Sequence, residues 1–255
     1  MAHTQRPRVL WEERLRMAGP DRIPVVVTRL DRSRFRLRNA DSMAMVFFKE
    51  DPSSRYGLDK KGYDAWIAER AQDRDWLQTV TKDDIDIING SNMHMRSPLH
   101  VWTQFLSHGP LHWLQDIPST TRLEHLEESD WVRHGQAIQV AIETLIEPNG
   151  ISIAGATKIL HMKRPLLIPI LDSYVGSVLQ TSKPRKKTEL ASWSWRTIVQ
   201  LRSILLENRD SMSTIQEILQ REGIARSQVR ILDALLWTLD PRTKFAQHAE
   251  IDETF

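Results

Sequence analysis

Glu147-Pro148-Asn149-Gly150-Ile151-Ser152-Ile153-Ala154-Gly155 separates two helical patterns, and Arg164-Pro165-Leu166-Leu167-Ile168-Pro169-Ile170-Leu171-Asp172-Ser173-Tyr174-Val175 follows shortly after. Upstream, a strong helix from Ser129 carries Ile138, Ala141, Ile142, Leu145 and Ile146 at the three-and-four spacing of a buried stripe, and Pro148-Asn149-Gly150 stops it. A second, shorter helix is predicted from Ile153 to Met162. Two antiparallel helices joined by a tight Gly-containing turn present several backbone N–H groups at one helix N-terminus, and a phosphate binds there without any side-chain charge. The candidate DNA contacts are therefore Gly150, Ile151, Ser152, Ile153, Ala154 and Gly155, with Lys158, Lys163 and Arg164 adding phosphate contacts just beyond. Such a hairpin positions DNA but reads no sequence. An ordinary helix-turn-helix corner has the same local form, so the turn alone does not fix a function.

The rest of the chain reads as mainly α. Val25, Val26 and Val27 and the alternating Phe35-Arg36-Leu37-Arg38 predict a small N-terminal β-hairpin about Asp31 to Ser33, after a helix over residues 8–18. Helical periodicity then dominates, first through Trp66, Ile67, Trp76, Leu77 and Val80, then through Val101, Trp102, Phe105 and Leu106, with an Asn-rich interruption at Asn89-Gly90-Ser91-Asn92. Lys183-Pro184-Arg185-Lys186-Lys187 is a basic loop before two or three C-terminal helices. There Ser213 with Gln216 reads as a capping box and Gly223 as a helix stop, while Ile231, Leu232, Leu235, Leu236 and Leu239 form a buried face before Pro241. These signals fit one two-lobed helical domain over residues 1–255: a basic extension and hairpin over 1–60, a helical lobe from 61–128 and 183–255, and a hairpin-containing lobe over 129–182.

Composition narrows the chemistry. The 255 residues include no cysteine, which removes disulfides, thiol nucleophiles, Cys-type zinc sites and cysteine-ligated iron–sulfur clusters, and no metal or other cofactor is expected. Without a signal-like apolar run or a membrane-length segment, the expected place is the cytoplasm, as a monomer. Net charge is only +2, yet residues 1–40 hold ten arginines against four acids, a local +6, so the basic end suits a polyanion or a solvated surface. The nine tryptophans serve equally well as core filler, interface anchors or base-stacking platforms.

Taken together, the turn and the proline-bounded apolar connection that follows it resemble the helix-hairpin-helix (HhH-GPD) DNA glycosylases, the superfamily of endonuclease III and the alkyladenine glycosylases. In that family a Gly-hydrophobic-Gly turn precedes a helix and then a Val-Asp-Thr-His-Val-like element whose Asp is catalytic. Gly150-Ile151-Ser152 matches the turn, with Ser in place of the second Gly, and Leu171-Asp172-Ser173-Tyr174-Val175 matches the second element. About thirty residues carry the likeness. Ala154 falls where lyase-competent members carry a nucleophilic lysine, 18 residues before Asp172; alanine has no amine for a Schiff base, so the implied enzyme is monofunctional and leaves an abasic site. The absence of cysteine excludes the cluster loop of the endonuclease III branch. The segment also resembles uncharacterised bacterial proteins sharing an Arg-Pro-x-x-x-Pro-x-x-Asp-Ser core and an Arg-x-Leu-Asp-x-Leu-Leu-Trp C-terminus, here Arg230 to Trp237. Those lend a fold but no activity.

The resemblance implies double-stranded DNA as partner and Asp172 as the catalytic carboxylate, stabilising the positive charge that develops on the sugar or aligning a water. An Asp at a helix start is equally a favoured N-cap, and the two roles are compatible. A flipped base needs a wedge to fill the stack. In the resembling family it comes from a loop between early helices, which here points to Asn89 and Asn92, then His94 and Arg96; Asn89 lies 83 residues before Asp172. The implied substrate is a damaged base, with a hypermodified phage base, and thus antiviral defence, as the specialised variant requiring a roomy polar pocket. The rival readings are a non-catalytic helix-hairpin-helix DNA-binding protein and a helical interaction protein with no nucleic-acid role.

Overall fold

The computed structural model describes residues 22–50, 62–90, 117–147, 151–181 and 183–253. Alternation of buried and outward residues makes the first two strands: Val25–Thr28 (β1) and Arg34–Leu37 (β2) pair antiparallel with Val25 opposite Leu37, so Val25, Val27, Phe35 and Leu37 all face the core. Asp31 closes the turn by accepting from the backbone N–H and hydroxyl of Ser33 at 2.9 and 2.6 Å. A third strand, Ile251–Asp252 (β3), returns from the far end of the chain to pair with β2. The outer edge of β1 is covered by Asn208, whose amide accepts from the Val26 N–H and donates to the Val26 carbonyl, both at 2.7 Å.

The described residues otherwise form nine α-helices: Ala40–Glu50 (α1), Gly62–Arg70 (α2), Lys82–Gly90 (α3), Glu128–Ile146 (α4), Ile153–Lys163 (α5), Ser173–Val178 (α6), Lys187–Glu207 (α7), Arg209–Arg221 (α8) and Gln228–Leu239 (α9). The protein is mainly α with a small three-stranded sheet at its N-terminal end. α4 buries the anticipated stripe against α7 and α5, and α5 packs on α3. α9 is the central element: from Val229 to Leu239 only Trp237 is not fully buried, and the helix packs on α1, α6, α7 and α8. None of the helices among the described residues is long and apolar enough to cross a membrane.

One sequence signal resolves differently from its reading. Ser213 is not a helix cap, because α8 follows α7 through the single residue Asn208, and position 213 lies in its second turn. Its hydroxyl accepts from Gln228 at 3.1 Å, while Gln216 donates to the Arg226 carbonyl at 2.6 Å, so the pair braces the α8–α9 connection. Gly223 does act as the stop, with φ of +77°. Asn89-Gly90, where the Asn-rich interruption begins, forms the end of α3, and Ser91-Asn92 lie outside the described residues. The helix read over 8–18 and the block at 101–106 lie outside the described residues.

Candidate functional site

The connection between α5 and α6, residues 164–172, is apolar in sequence and would leave its peptide groups unpaired if nothing answered them, which buried backbone cannot tolerate. Buried polar groups supply the answers. Ser227 donates to the Pro165 carbonyl at 2.7 Å, and His161 Nδ1 lies 2.5 Å from the Ile168 carbonyl. Asp233 accepts from the Ile170 N–H at 3.0 Å, and Thr157 accepts from the Leu171 N–H at 3.0 Å. Asp233 is itself held by Arg230 at 2.6 Å, and Arg230 grips Asp64 of α2 through two nitrogens at 3.1 and 3.2 Å. Burial pushes the Asp233 carboxyl up to about 6 despite Arg230. Burial also works on Asp64, but Arg230 and Arg226 overcome it and hold the group at about 2. Burial lowers His161 to about 4, so it is neutral at physiological pH.

This scaffold ends at Asp172. Its Oδ1 accepts from the Tyr174 and Val175 N–H groups at 2.8 and 3.0 Å, capping α6, and Oδ2 accepts no hydrogen bond from the described residues. Partial burial raises the carboxyl above its ordinary value, and the two N–H groups, Lys158 and Arg242 pull it back. Arg242 donates to the Ser173 carbonyl at 2.9 Å and lies 4.3 Å above the Tyr174 ring, which leans on Trp237. The structure therefore brings Asp172, Lys158, Tyr174 and Arg242 together. Tyr174 entered the sequence reading only as part of the matched element and Arg242 not at all: Arg242 lies 70 residues from Asp172 and belongs to no recognisable motif.

Ser152 caps α5 by accepting from the Gly155 N–H at 3.3 Å, so a hydroxyl already occupies one of the donors anticipated for phosphate. The first-turn N–H groups of Ile153 and Ala154 have no partner within the helix. Ile151 and Ile153 are core anchors whose side chains are buried, so they can offer only backbone, while Ala154 is half-buried. Gly150 lies outside the described residues, as do Asn92, His94 and Arg96; for Asn89 only its place in α3 is described.

Lys163 and Arg164 are not phosphate ligands. The Lys163 ammonium is wholly buried 2.8 Å from Asp84 and 3.7 Å above the Trp76 ring. Arg164 is 1% exposed; it donates to the Leu77 and Lys163 carbonyls at 2.7 Å, to the Ile117 carbonyl, and to Gln78 at 3.3 Å. Each closes the C-terminal end of α5 against the 3-10 turn Trp76–Gln78.

Fold and site together define a mainly helical protein in which a helical hairpin and a buried ion network deliver one half-buried carboxylate to a helix N-terminus. The chain belongs to a family of unknown function (DUF6308), whose model matches residues 44–240 and so spans the scaffold and Asp172. Neither a curated protein nor a solved structure matches the chain.

Proposed function

We propose that this protein is a monofunctional DNA glycosylase that hydrolyses the N-glycosidic bond of a flipped, damaged or modified base in double-stranded DNA. The observation that carries the reading is the Asp172 carboxylate, with one oxygen fixed by two helix N–H groups, the other unclaimed among the described residues, and two cations in electrostatic reach. As the C1′–N bond breaks, its electron pair leaves with the base and positive charge builds on the sugar ring. A carboxylate in a partly dry site stabilises that charge far better than it does in water, and it accepts the proton of the water that forms the new C1′–O bond. The departing base takes its proton from solvent.

Ala154 supplies no amine, so the expected product is an abasic site and borohydride traps no adduct. A covalent adduct would reassign Lys158 as the nucleophile. The N–H groups of Ile153 and Ala154 provide the backbone grip. The specialised version, a hypermodified phage base removed in antiviral defence, rests on the divergence of the Gly150-Ile151-Ser152 turn. A second reading, a non-catalytic DNA-binding protein, is favoured by the completeness of the Asp172 cap, since two N–H bonds to one oxygen satisfy a structural role alone.

The test is a panel of duplexes bearing alkylated, oxidised and deaminated bases, with phage DNA carrying modified cytosines, scored for alkali-induced breaks. Breaks with wild type and not with Asp172→Asn support the glycosylase. Salt-sensitive duplex binding by both proteins without breaks from either supports the binder.

A further inference from the structure

Beside Asp172 the structure pins an arginine that a surface position would ordinarily leave free to rotate. Arg242 follows α9 and its side chain is 53% exposed, yet it is held on three sides. Asp240, wholly buried, accepts from Nε on Oδ1 at 2.7 Å and from Nη2 on Oδ2 at 2.8 Å, a two-point fork that sets the guanidinium plane. Nη2 also donates to the Ser173 carbonyl at 2.9 Å, which ties that plane to the residue next to Asp172. One face lies over the Tyr174 ring at 4.3 Å, and Trp237 backs that ring with centroids 5.5 Å apart.

What stays open is the opposite face of the guanidinium and its Nη1 edge, which makes no hydrogen bond among the described residues. An exposed ion pair contributes little to stability and desolvating a carboxylate opposes it, so stability is a weak reason for a buried acid to orient an exposed base. Asp240 also accepts from the Arg242 N–H at 2.9 Å, so the turn that carries the plate is fixed with it. At long range the pair is neutral, which makes it a poor anchor for a phosphate. In contact it is a flat cationic surface with the carboxylate on its far edge, and nucleobases stack on guanidinium planes as they do on aromatic rings.

We propose that the open face of Arg242 is the plate on which the flipped base stacks, and that it selects neutral bases, deaminated, oxidised or hydroxymethylated, over cationic N-alkylated ones. This rests on the glycosylase reading of Asp172. A neutral base leaves with the electron pair of the C1′–N bond as an anion, which contact with the guanidinium stabilises. An N-alkylated base is already a cation, meets a like charge on the plate and leaves neutral, so it gains nothing from it. Lys158, the other cation in electrostatic reach of Asp172, acts in the same sense. Asp172 is the opposing charge, and in this arrangement it faces the sugar.

The experiment measures the affinity of the full chain for duplexes bearing one uracil, one oxidised guanine, one hydroxymethylcytosine or one cationic N7-methylguanine, against an undamaged control. Affinities are taken in the Asp172→Asn background, and base release is followed with the wild type. The expected result is that at least one neutral base is bound about tenfold tighter than the control, and N7-methylguanine is not. Arg242→Lys keeps the charge and a partner for Asp240 but has no plane, and it abolishes the preference at an unchanged salt dependence. Asp240→Asn leaves the arginine in place but turns an amide N–H toward Nη2, and the unpinned plate weakens the preference as well. A preference that survives Arg242→Lys, a preference for N7-methylguanine, or no preference at all would overturn the proposal. So would a salt dependence reduced by about one ion in Arg242→Gln, which would make Arg242 a phosphate contact. A neutral-base preference lost in Arg242→Lys while the wild type releases no base would overturn the reading of Asp172 and uphold the stacking plate.

Discussion

Asp172 carries a helix cap and a desolvated charge whose energetics pull apart. As a cap it stabilises α6, yet desolvation raises its carboxyl, so ionising it costs the folded state free energy that lower pH returns. Asn keeps the cap and removes the desolvated charge, so Asp172→Asn is expected to melt at or above the wild-type temperature at pH 7. Asp172→Ala loses the cap and costs about 1 kcal/mol. Calorimetry of the two variants checks the pair, and a destabilised Asn variant would show that the charge is structurally useful. Lys163 is the contrasting residue. Lys163→Met strands the buried Asp84 carboxylate and should cost about 3–5 kcal/mol in urea titrations; Asp84→Asn in the same chain removes the stranded charge while keeping an acceptor for Trp76 Nε1 and the Thr81 N–H, and should recover part of the loss. Sequence reading put Lys163 and Arg164 on the surface because such side chains are rarely buried without partners. Their partners lie far away in the chain, Asp84 being 79 residues distant, and no local pattern announces them.

The connection from Arg164 to Asp172 is rigid because α5 and α9 answer its peptide groups from both sides, and the ions that do so titrate in opposing senses. Asp64, at about 2 against an ordinary 3.8, contributes stability that is present above about pH 4 and lost as pH falls toward 2. Asp233, at about 6, contributes stability present below about pH 4 and lost as pH rises through 6. His161, at about 4 against 6.5, contributes stability that is lost as pH falls from 6.5 through 4. Between pH 4 and 6 the one-proton slopes of Asp233 and His161 oppose each other, so this cluster contributes a near-flat profile. Asp233→Asn keeps an acceptor for Ile170 and should leave the His161 slope exposed, with stability rising across that interval; an unchanged profile in urea titrations would contradict the assignment.

Helix packing sets a second limit. A Cβ on Gly135 of α4 would come within 2.5 Å of the Trp195 ring of α7, which packs at a tilt against Trp131 with ring centroids 4.4 Å apart. Helix propensity favours Ala there by about 1 kcal/mol, but overpacking costs roughly 1–3 kcal/mol. Gly135→Ala is therefore expected to lower the melting temperature, and a rise would show that the ring yields freely. The stripe of α4 and the face of α9 were legible because helical spacing marks them. The failed cap at Ser213 was not, because a Ser–Gln pair looks the same at a helix start as in its second turn, and what decides is the abrupt α7–α8 junction at Asn208.

At the scale of the whole molecule, the helical class and the N-terminal hairpin follow from periodicity alone. The third strand does not, since two residues near the C-terminus carry no alternation to read. The same long-range closure explains why the carboxylate of the candidate site was legible and its setting was not. Asp172 stands in a recognisable local element, whereas Arg242, Arg230 and Asp64 reach it or its scaffold only through folding. In the proposed function this assembled carboxylate breaks an N-glycosidic bond. Mass spectrometry of the small-molecule fraction after incubation with modified DNA tests that without depending on strand breaks. A free base is expected from the wild type and not from Asp172→Asn at equal DNA occupancy; equal release by both proteins would overturn the glycosylase proposal.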